Sequence, residues 1–182
     1  RSVNAHLSSG ADVAATMFCM RALGVDVVQE GPDQVAITGR GYLGWTPPRE
    51  PLNAVNSGTT MRLLAGLLAA HRFRSTLIGD ASLQRRPMGR VIDPLTAMGA
   101  RVGSHAGRAP LTIDGGPLHG IHWTSPVPSA QIKSAILLAG LHASGETAVT
   151  ELAATRDHTE RALPLFGLAC EVDGLVVRVT GG

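Results

Sequence analysis

Two helices with no polar face set the terms for the rest of this chain. Leu63-Leu64-Ala65-Gly66-Leu67-Leu68-Ala69-Ala70 and Ala135–Leu141 are almost wholly apolar, and a helix that is apolar all round must be covered on every side. Both runs are far too short to span a bilayer, so they belong at the centre of a protein core. Each is entered through a polar turn: Asn56-Ser57-Gly58-Thr59-Thr60-Met61-Arg62 before the first, Pro128-Ser129-Ala130-Gln131 before the second. A helix start carries unpaired N–H groups and a partial positive charge, which suits a bound anion. Arg62, about one turn in, adds a planar fork that closes on phosphate or carboxylate. The plainer alternative is that Asn56 or Ser57, and likewise Ser129, simply caps a core helix.

Around these helices the chain repeats itself. Leu23-Gly24, Met98-Gly99 and Phe166-Gly167 each end an amphipathic helix, predicted over Ala11–Leu23, about Gly89–Met98 and His158–Phe166. A hairpin-like pair of strands follows each: Val25–Val27 with Gln34–Ile37, Ala100–Val102 with Leu111–Ile113, and Cys170–Val172 with Leu175–Val179. The pairs close on Gly39, Gly115 and Gly181, which lie 15, 16 and 14 residues beyond the helix-ending glycines. In the second and third units a buried helix and a strand (Ser75–Ile78, Thr147–Glu151) come first, with the helix starting about 40 residues before the glycine. Only 23 residues precede Gly24, so the first unit is expected to lack its leading helix and the chain to be the front of a longer protein. The expectation is a pseudo-threefold α+β repeat over residues 1–182, with units at about 1–46 (truncated), 47–120 and 121–182. Gly39–Pro51 reads as loop and Asp80–Pro87 as a turn. Three such units gather the apolar helices centrally and open the Asn56 and Ser129 turns at one end.

Charge then narrows the function classes. Hydrophobic residues make up 44% of the chain and charged ones 16%, which excludes general disorder. A net charge of +2 and an aromatic content of 3% give a nucleic acid neither a field nor stacking surfaces. Yet Arg62, Arg72, Arg74, Arg85, Arg86 and Arg90 fall in one segment whose single acid is Asp80, a distribution suited to a small anionic ligand. Cys19 and Cys170 sit in apolar settings without a C-x-x-C pattern, as reduced thiols of a cytoplasmic protein do. The histidines show no metal-ligand spacing and Arg1 is followed by no signal-peptide core. No metal, cofactor, nucleic acid or membrane partner is expected.

Four motifs carry a resemblance: Asn56-Ser57-Gly58-Thr59-Thr60-Met61-Arg62, Gln84-Arg85-Arg86-Pro87-Met88-Gly89, Pro128-Ser129-Ala130-Gln131-Ile132-Lys133-Ser134 and Thr155-Arg156-Asp157-His158-Thr159-Glu160. In this order they resemble the 5-enolpyruvylshikimate-3-phosphate synthases (3-phosphoshikimate 1-carboxyvinyltransferases) over essentially the whole chain. The resemblance implies the first of two domains, each an inverse α/β barrel lobe of three β-α-β-α-β-β units, with substrates in the cleft between them. It implies transfer of the enolpyruvyl group of phosphoenolpyruvate to the 5-hydroxyl of shikimate 3-phosphate, with release of phosphate, in the shikimate pathway. It places Asn56, Gly58, Thr59, Arg62, Arg86 and Gln131 at phosphoenolpyruvate, and Ser129, Ala130, Gln131, Thr155 and Arg156 at shikimate 3-phosphate. Gln84 and Lys133 read as structural or solvated.

Three positions depart from the family pattern: Ala130 where many relatives have serine, Arg156 in place of a tyrosine near His158, and Leu63 in place of a proline. The family's acid/base Asp, its Lys and further anion-binding Arg residues belong to a second domain. No residue here is therefore assigned to catalysis, and the chain alone is expected to be inactive. A non-catalytic anion-binding lobe, or half of a split enzyme, is the alternative. The related transferase acting on UDP-N-acetylglucosamine usually carries a Cys in the loop matching Asp80–Arg86, and none is there.

Overall fold

Gly24 (φ +85°), Gly99 (+105°) and Gly167 (+75°) all stand in the left-handed region, where a Cβ is costly and a helix stops. The repeat is built around these stops. The computed structural model describes residues 1–41 and 44–182. Tyr42 and Leu43, inside the expected Gly39–Pro51 loop, lie outside the described residues.

The first group of elements is β1 (Ser2–Asn4), α1 (Ala11–Ala22), β2 (Asp26–Gly31) and β3 (Gln34–Thr38). The second is β4 (Leu52–Asn53), α2 (Gly58–Ala69), β5 (Arg74–Ile78), α3 (Ala81–Gln84), α4 (Gly89–Ala97), β6 (Arg101–His105) and β7 (Arg108–Asp114). The third is β8 (Leu118–His119), β9 (His122–Thr124), α5 (Ala130–Gly140), β10 (Ala143–Thr150), α6 (His158–Leu165), β11 (Glu171–Asp173) and β12 (Val176–Gly181).

Each group makes one sheet on the same plan. Hairpin partners β2–β3, β6–β7 and β11–β12 are antiparallel. The second hairpin strand then pairs antiparallel with the strand that precedes the amphipathic helix: β3 with β1, β7 with β5, β12 with β10. Beyond these, β4 joins β5 in parallel, and β8 and β9 both join β10 in parallel. The second and third groups thus follow the β-α-β-α-β-β order, with β8 and β9 sharing the opening strand's place. The first group enters it at β1.

Four strands were not legible from alternation: β1, β4, β8 and β9 are two or three residues long. Pairing with distant strands makes them. A second difference lies in Asp80–Pro87, which is not a plain turn. The Asp80 carboxylate accepts the Leu83 N–H at 2.8 Å and caps the one-turn helix α3, while Leu83 is fully buried.

The apolar helices lie at the centre and run parallel. Met61, Leu64, Ala65 and Leu68 of α2 and Ile132, Ala135, Ile136 and Leu137 of α5 join one buried cluster. A Cβ on Gly66 would fall inside the contact radius of the Ala135 carbonyl oxygen and 3.0 Å from its carbon. The starts of α2 and α5 are joined through Arg62 and Gln131 at 2.7 Å. Just past their other ends the rings of His71 and His142 meet edge-on at 6.3 Å, and Trp45 stacks on His71 at 4.6 Å. Burial, and then the neighbouring His71, push His142 down to about 4, which keeps its ring neutral at pH 7. Parallel helix dipoles side by side repel, and an anion at the shared N-terminal end offsets that repulsion.

Candidate functional site

At the start of α2, Ser57 Oγ accepts the Thr60 N–H at 3.1 Å and the Thr60 hydroxyl at 2.8 Å. Ser57 thus caps α2, and Gly58, the first residue of the helix, is buried beside it. A Cβ on Gly58 would lie 2.7 Å from Arg62 Nη1 and 3.1 Å from Arg86 Nη1. Two guanidinium groups thus close over one residue that has no side chain to keep them away.

Arg62 is the knot of this end. Its Nη1 donates to Gln131 Oε1 at 2.7 Å and to the Gly58 carbonyl at 3.3 Å, and its Nη2 donates to the Pro87 carbonyl at 3.4 Å. Gln131 returns the bond, donating from Nε2 to Thr59 Oγ1 at 2.7 Å. The two helix starts are thus locked together through Arg62 and Gln131, 69 residues apart in sequence. Arg86 donates from Nη2 to Asn56 Oδ1 at 2.6 Å, and Asn56 Nδ2 donates to Asp80 Oδ2 at 2.7 Å. This relay fixes which end of the Asn56 amide faces the arginine.

The electrostatics point the same way. Burial first, then the charges of Arg86 and Arg90, lower the Arg62 pKa. The Asn56 amide and the Leu83 N–H hold the Asp80 carboxyl below its usual range, with Arg86 adding to the effect. Three guanidinium groups crowd one another, and the single acid of the segment is engaged by Asn56 and Leu83. A phosphate or carboxylate placed there would relieve the crowding.

A cleft of about 130 Å³ opens beside this knot, lined by Thr59, Leu63, Ala130, Gln131, Ser134, Arg156, His158 and Thr159. Gln131 thus belongs to both places. Ser129 is the N-cap residue of α5, in extended backbone and without a side-chain cap bond. Thr155 donates its hydroxyl to Glu151 and is not among the residues lining the cleft. The structure therefore gathers Asn56, Gly58, Thr59, Arg62, Arg86 and Gln131 into one bonded group and sets Ala130 and Arg156 around the adjoining cleft. Ser129 stands at its α5 edge.

Sequence reasoning missed Ser134, whose hydroxyl meets Thr159 Oγ1 at 2.6 Å across the cleft. It also missed Asp80 as the orienting partner of Asn56, although Asp80 directly preceding a helical turn was a capping signal. Gln84 is structural, donating to the Gly79 carbonyl at 2.8 Å. Among the described residues no group of three or more His, Cys, Asp or Glu gathers as for a metal, and no helix is long and apolar enough to cross a membrane.

The profile of the EPSP synthase (3-phosphoshikimate 1-carboxyvinyltransferase) family matches residues 3–182. A 3-phosphoshikimate 1-carboxyvinyltransferase of Acidithiobacillus ferrooxidans is 56% identical over 178 residues, covering 97% of this chain and 41% of the relative. Its counterpart in Geobacillus kaustophilus is 51% identical over 183 residues, covering all of this chain and 43% of the relative. The EPSP synthase structure from Acinetobacter baumannii superposes with a TM-score of 0.95 at 43% identity, over 100% of this chain and 42% of that one. The chain therefore spans about two fifths of the length of the relatives it matches.

Proposed function

We propose, from the premise that this chain belongs to the EPSP synthase (3-phosphoshikimate 1-carboxyvinyltransferase) family, that it is one substrate-binding lobe of the enolpyruvyl-transferring enzyme. The reaction joins the 5-hydroxyl oxygen of shikimate 3-phosphate to C2 of phosphoenolpyruvate and expels phosphate. The observation that carries this reading is the Arg62–Gln131–Thr59 junction, where two helix starts and an arginine pair meet over Gly58. Arg62 gives three of its five N–H donors to Gly58, Gln131 and Pro87, so it frames the site and keeps donors for the phosphoenolpyruvate anion. Arg86 donates to Asn56 through one nitrogen and turns its remaining N–H groups to the phosphoenolpyruvate anion. Ser129, Ala130, Gln131, Thr155 and Arg156 receive the phosphorylated acceptor.

Proton transfer needs an acid and a base at the reacting carbons. The described side chains grouped around Gly58 are cations, amides and hydroxyls, with Asp80 held by Asn56 and Leu83, and the adjoining cleft adds only the His158 imidazole. We assign acid–base chemistry to a second lobe that closes on this one, and the repeat boundaries to about 46 and 120 in this lobe. We place the enzyme in the cytoplasm, in the pathway that builds aromatic rings; Cys19 is a buried free thiol that burial raises to about 11, unreactive and suited to a reducing compartment.

The purified 182-residue chain, given both substrates, is expected to release no phosphate, and a second-lobe fragment is expected to restore release. Turnover by the chain alone refutes the division of labour. Silence of the mixture, with both anions still bound, favours a non-catalytic binding lobe.

Gly58→Ala gives a sharper test. The added Cβ meets only the flexible ends of Arg62 and Arg86, so the fold should hold to within about 1 kcal/mol. The two guanidinium groups must shift, and space above the turn shrinks by a methyl. In the two-lobe enzyme, KM for phosphoenolpyruvate should rise several-fold, while a bulkier competitor such as glyphosate loses roughly a further tenfold in affinity. Equal losses for substrate and competitor would contradict this geometry.

A further inference from the structure

One lysine in the chain is unused by this account. Lys133 is 2% exposed, on the mostly apolar helix α5. Its Nζ donates to Glu151 Oε2 at 2.7 Å and also to Glu160 Oε1, in the first turn of α6. Burial opposes its charge, but the two carboxylates outweigh burial and hold the ammonium above its ordinary pKa. Glu151 Oε1 in turn accepts the Thr155 hydroxyl, one residue before Arg156. Two stretches distant in sequence converge on one cation: the helix carrying the Ser129–Gln131 turn, and the loop carrying Arg156 with the start of α6 that directly follows it.

Stability alone does not explain such a group. Buried ion clusters are often matched or exceeded in stability by apolar side chains of similar volume. Here Glu160 Oε2 is also buried without a hydrogen-bond partner, a further cost. What the cluster supplies is position. We propose that Lys133 is a positioning residue for the phosphorylated acceptor, its ammonium holding Glu151 and Glu160 so that Arg156 stands at a fixed distance from the Ser129–Gln131 turn. The Ser134–Thr159 bond at 2.6 Å is a second tie across the same gap. This inference rests on the substrate reading above.

The test uses the chain joined to its second lobe, with KM measured separately for each substrate. The unaltered enzyme must turn over; if it does not, the substrate reading fails, independently of Lys133. Lys133→Met alone leaves two buried carboxylates facing each other, and a large fall in thermal midpoint is expected. The neutral variant Lys133→Met/Glu151→Gln/Glu160→Gln removes that repulsion and separates the two roles. Its thermal midpoint should recover, while KM for shikimate 3-phosphate stays raised by roughly tenfold and KM for phosphoenolpyruvate changes less than about twofold. Arg156→Met added to it should cost much less than Arg156→Met in the unaltered enzyme, because the arginine is already misplaced. Recovery of stability and of acceptor KM together would overturn the proposal, as would equal rises in both KM values. Should the neutral variant not fold, Glu160→Gln, which keeps the Lys133–Glu151 pair, is read by the same two constants.

Discussion

Arg86→Met in the two-lobe enzyme is expected to lower kcat/KM for phosphoenolpyruvate by about a hundredfold to a thousandfold, the range for losing a charge-assisted contact that stabilises developing charge. Arg86 is held at one nitrogen by Asn56 at 2.6 Å, and Asn56 is held by Asp80 at 2.7 Å. The guanidinium is therefore aimed before any ligand arrives, so its attraction is not spent on ordering a loose side chain. The fold should be little changed, because Arg86 lies outside the buried core. Arg86→Lys should recover only part of the loss, since an ammonium keeps the charge but not the planar fork. Steady-state rates at varied phosphoenolpyruvate decide the matter, and a loss under about threefold would remove Arg86 from the ligand's contacts.

The parts of this site legible in the sequence were those whose signals are local. Helix starts, the glycine in the Asn56–Arg62 turn and the stops at Gly24, Gly99 and Gly167 all follow from rules acting within a few residues. The repeat set the Asn56 and Ser129 turns at one end, and the resemblance added Arg86 and Arg156 to them. What stayed hidden depends on distant pairing. Strands β4 and β8 are two residues long and exist only because β5 and β10 lie beside them. Lys133 was visible as a lone cation on an apolar helix, a position that demands a partner. Its partners Glu151 and Glu160 lie 18 and 27 residues on and reach it from a strand end and another helix. The Thr155 hydroxyl, too, finds its partner in Glu151 at the end of β10. No pattern along the chain encodes which way a loop hydroxyl points.

Gly66→Ala tests the packing that makes the site possible. In an exposed helix this change gains stability, up to about 1 kcal/mol, through helix propensity. At Gly66 the new Cβ would overlap the Ala135 carbonyl oxygen and lie 3.0 Å from the carbonyl carbon. Backbone cannot rotate away as a side-chain tip can, so α2 and α5 must separate. Overpacking costs typically 1–3 kcal/mol, and with backbone on both sides about 3 kcal/mol net is expected despite the propensity gain. Gly89→Ala is the matched control: Gly89 opens α4, a Cβ there meets nothing within 4 Å, and stability should be unchanged or slightly raised. Urea titration of both variants measures the difference. The consequence for function follows from the same geometry, because the Arg62–Gln131 bond of 2.7 Å crosses between these two helices. A helix pair pushed apart by a few tenths of an ångström stretches that bond first, so Gly66→Ala protein that still folds should bind phosphoenolpyruvate more weakly than Gly89→Ala protein. Full stability with full affinity in Gly66→Ala would mean that the two helices are not in the close parallel contact on which the site is built.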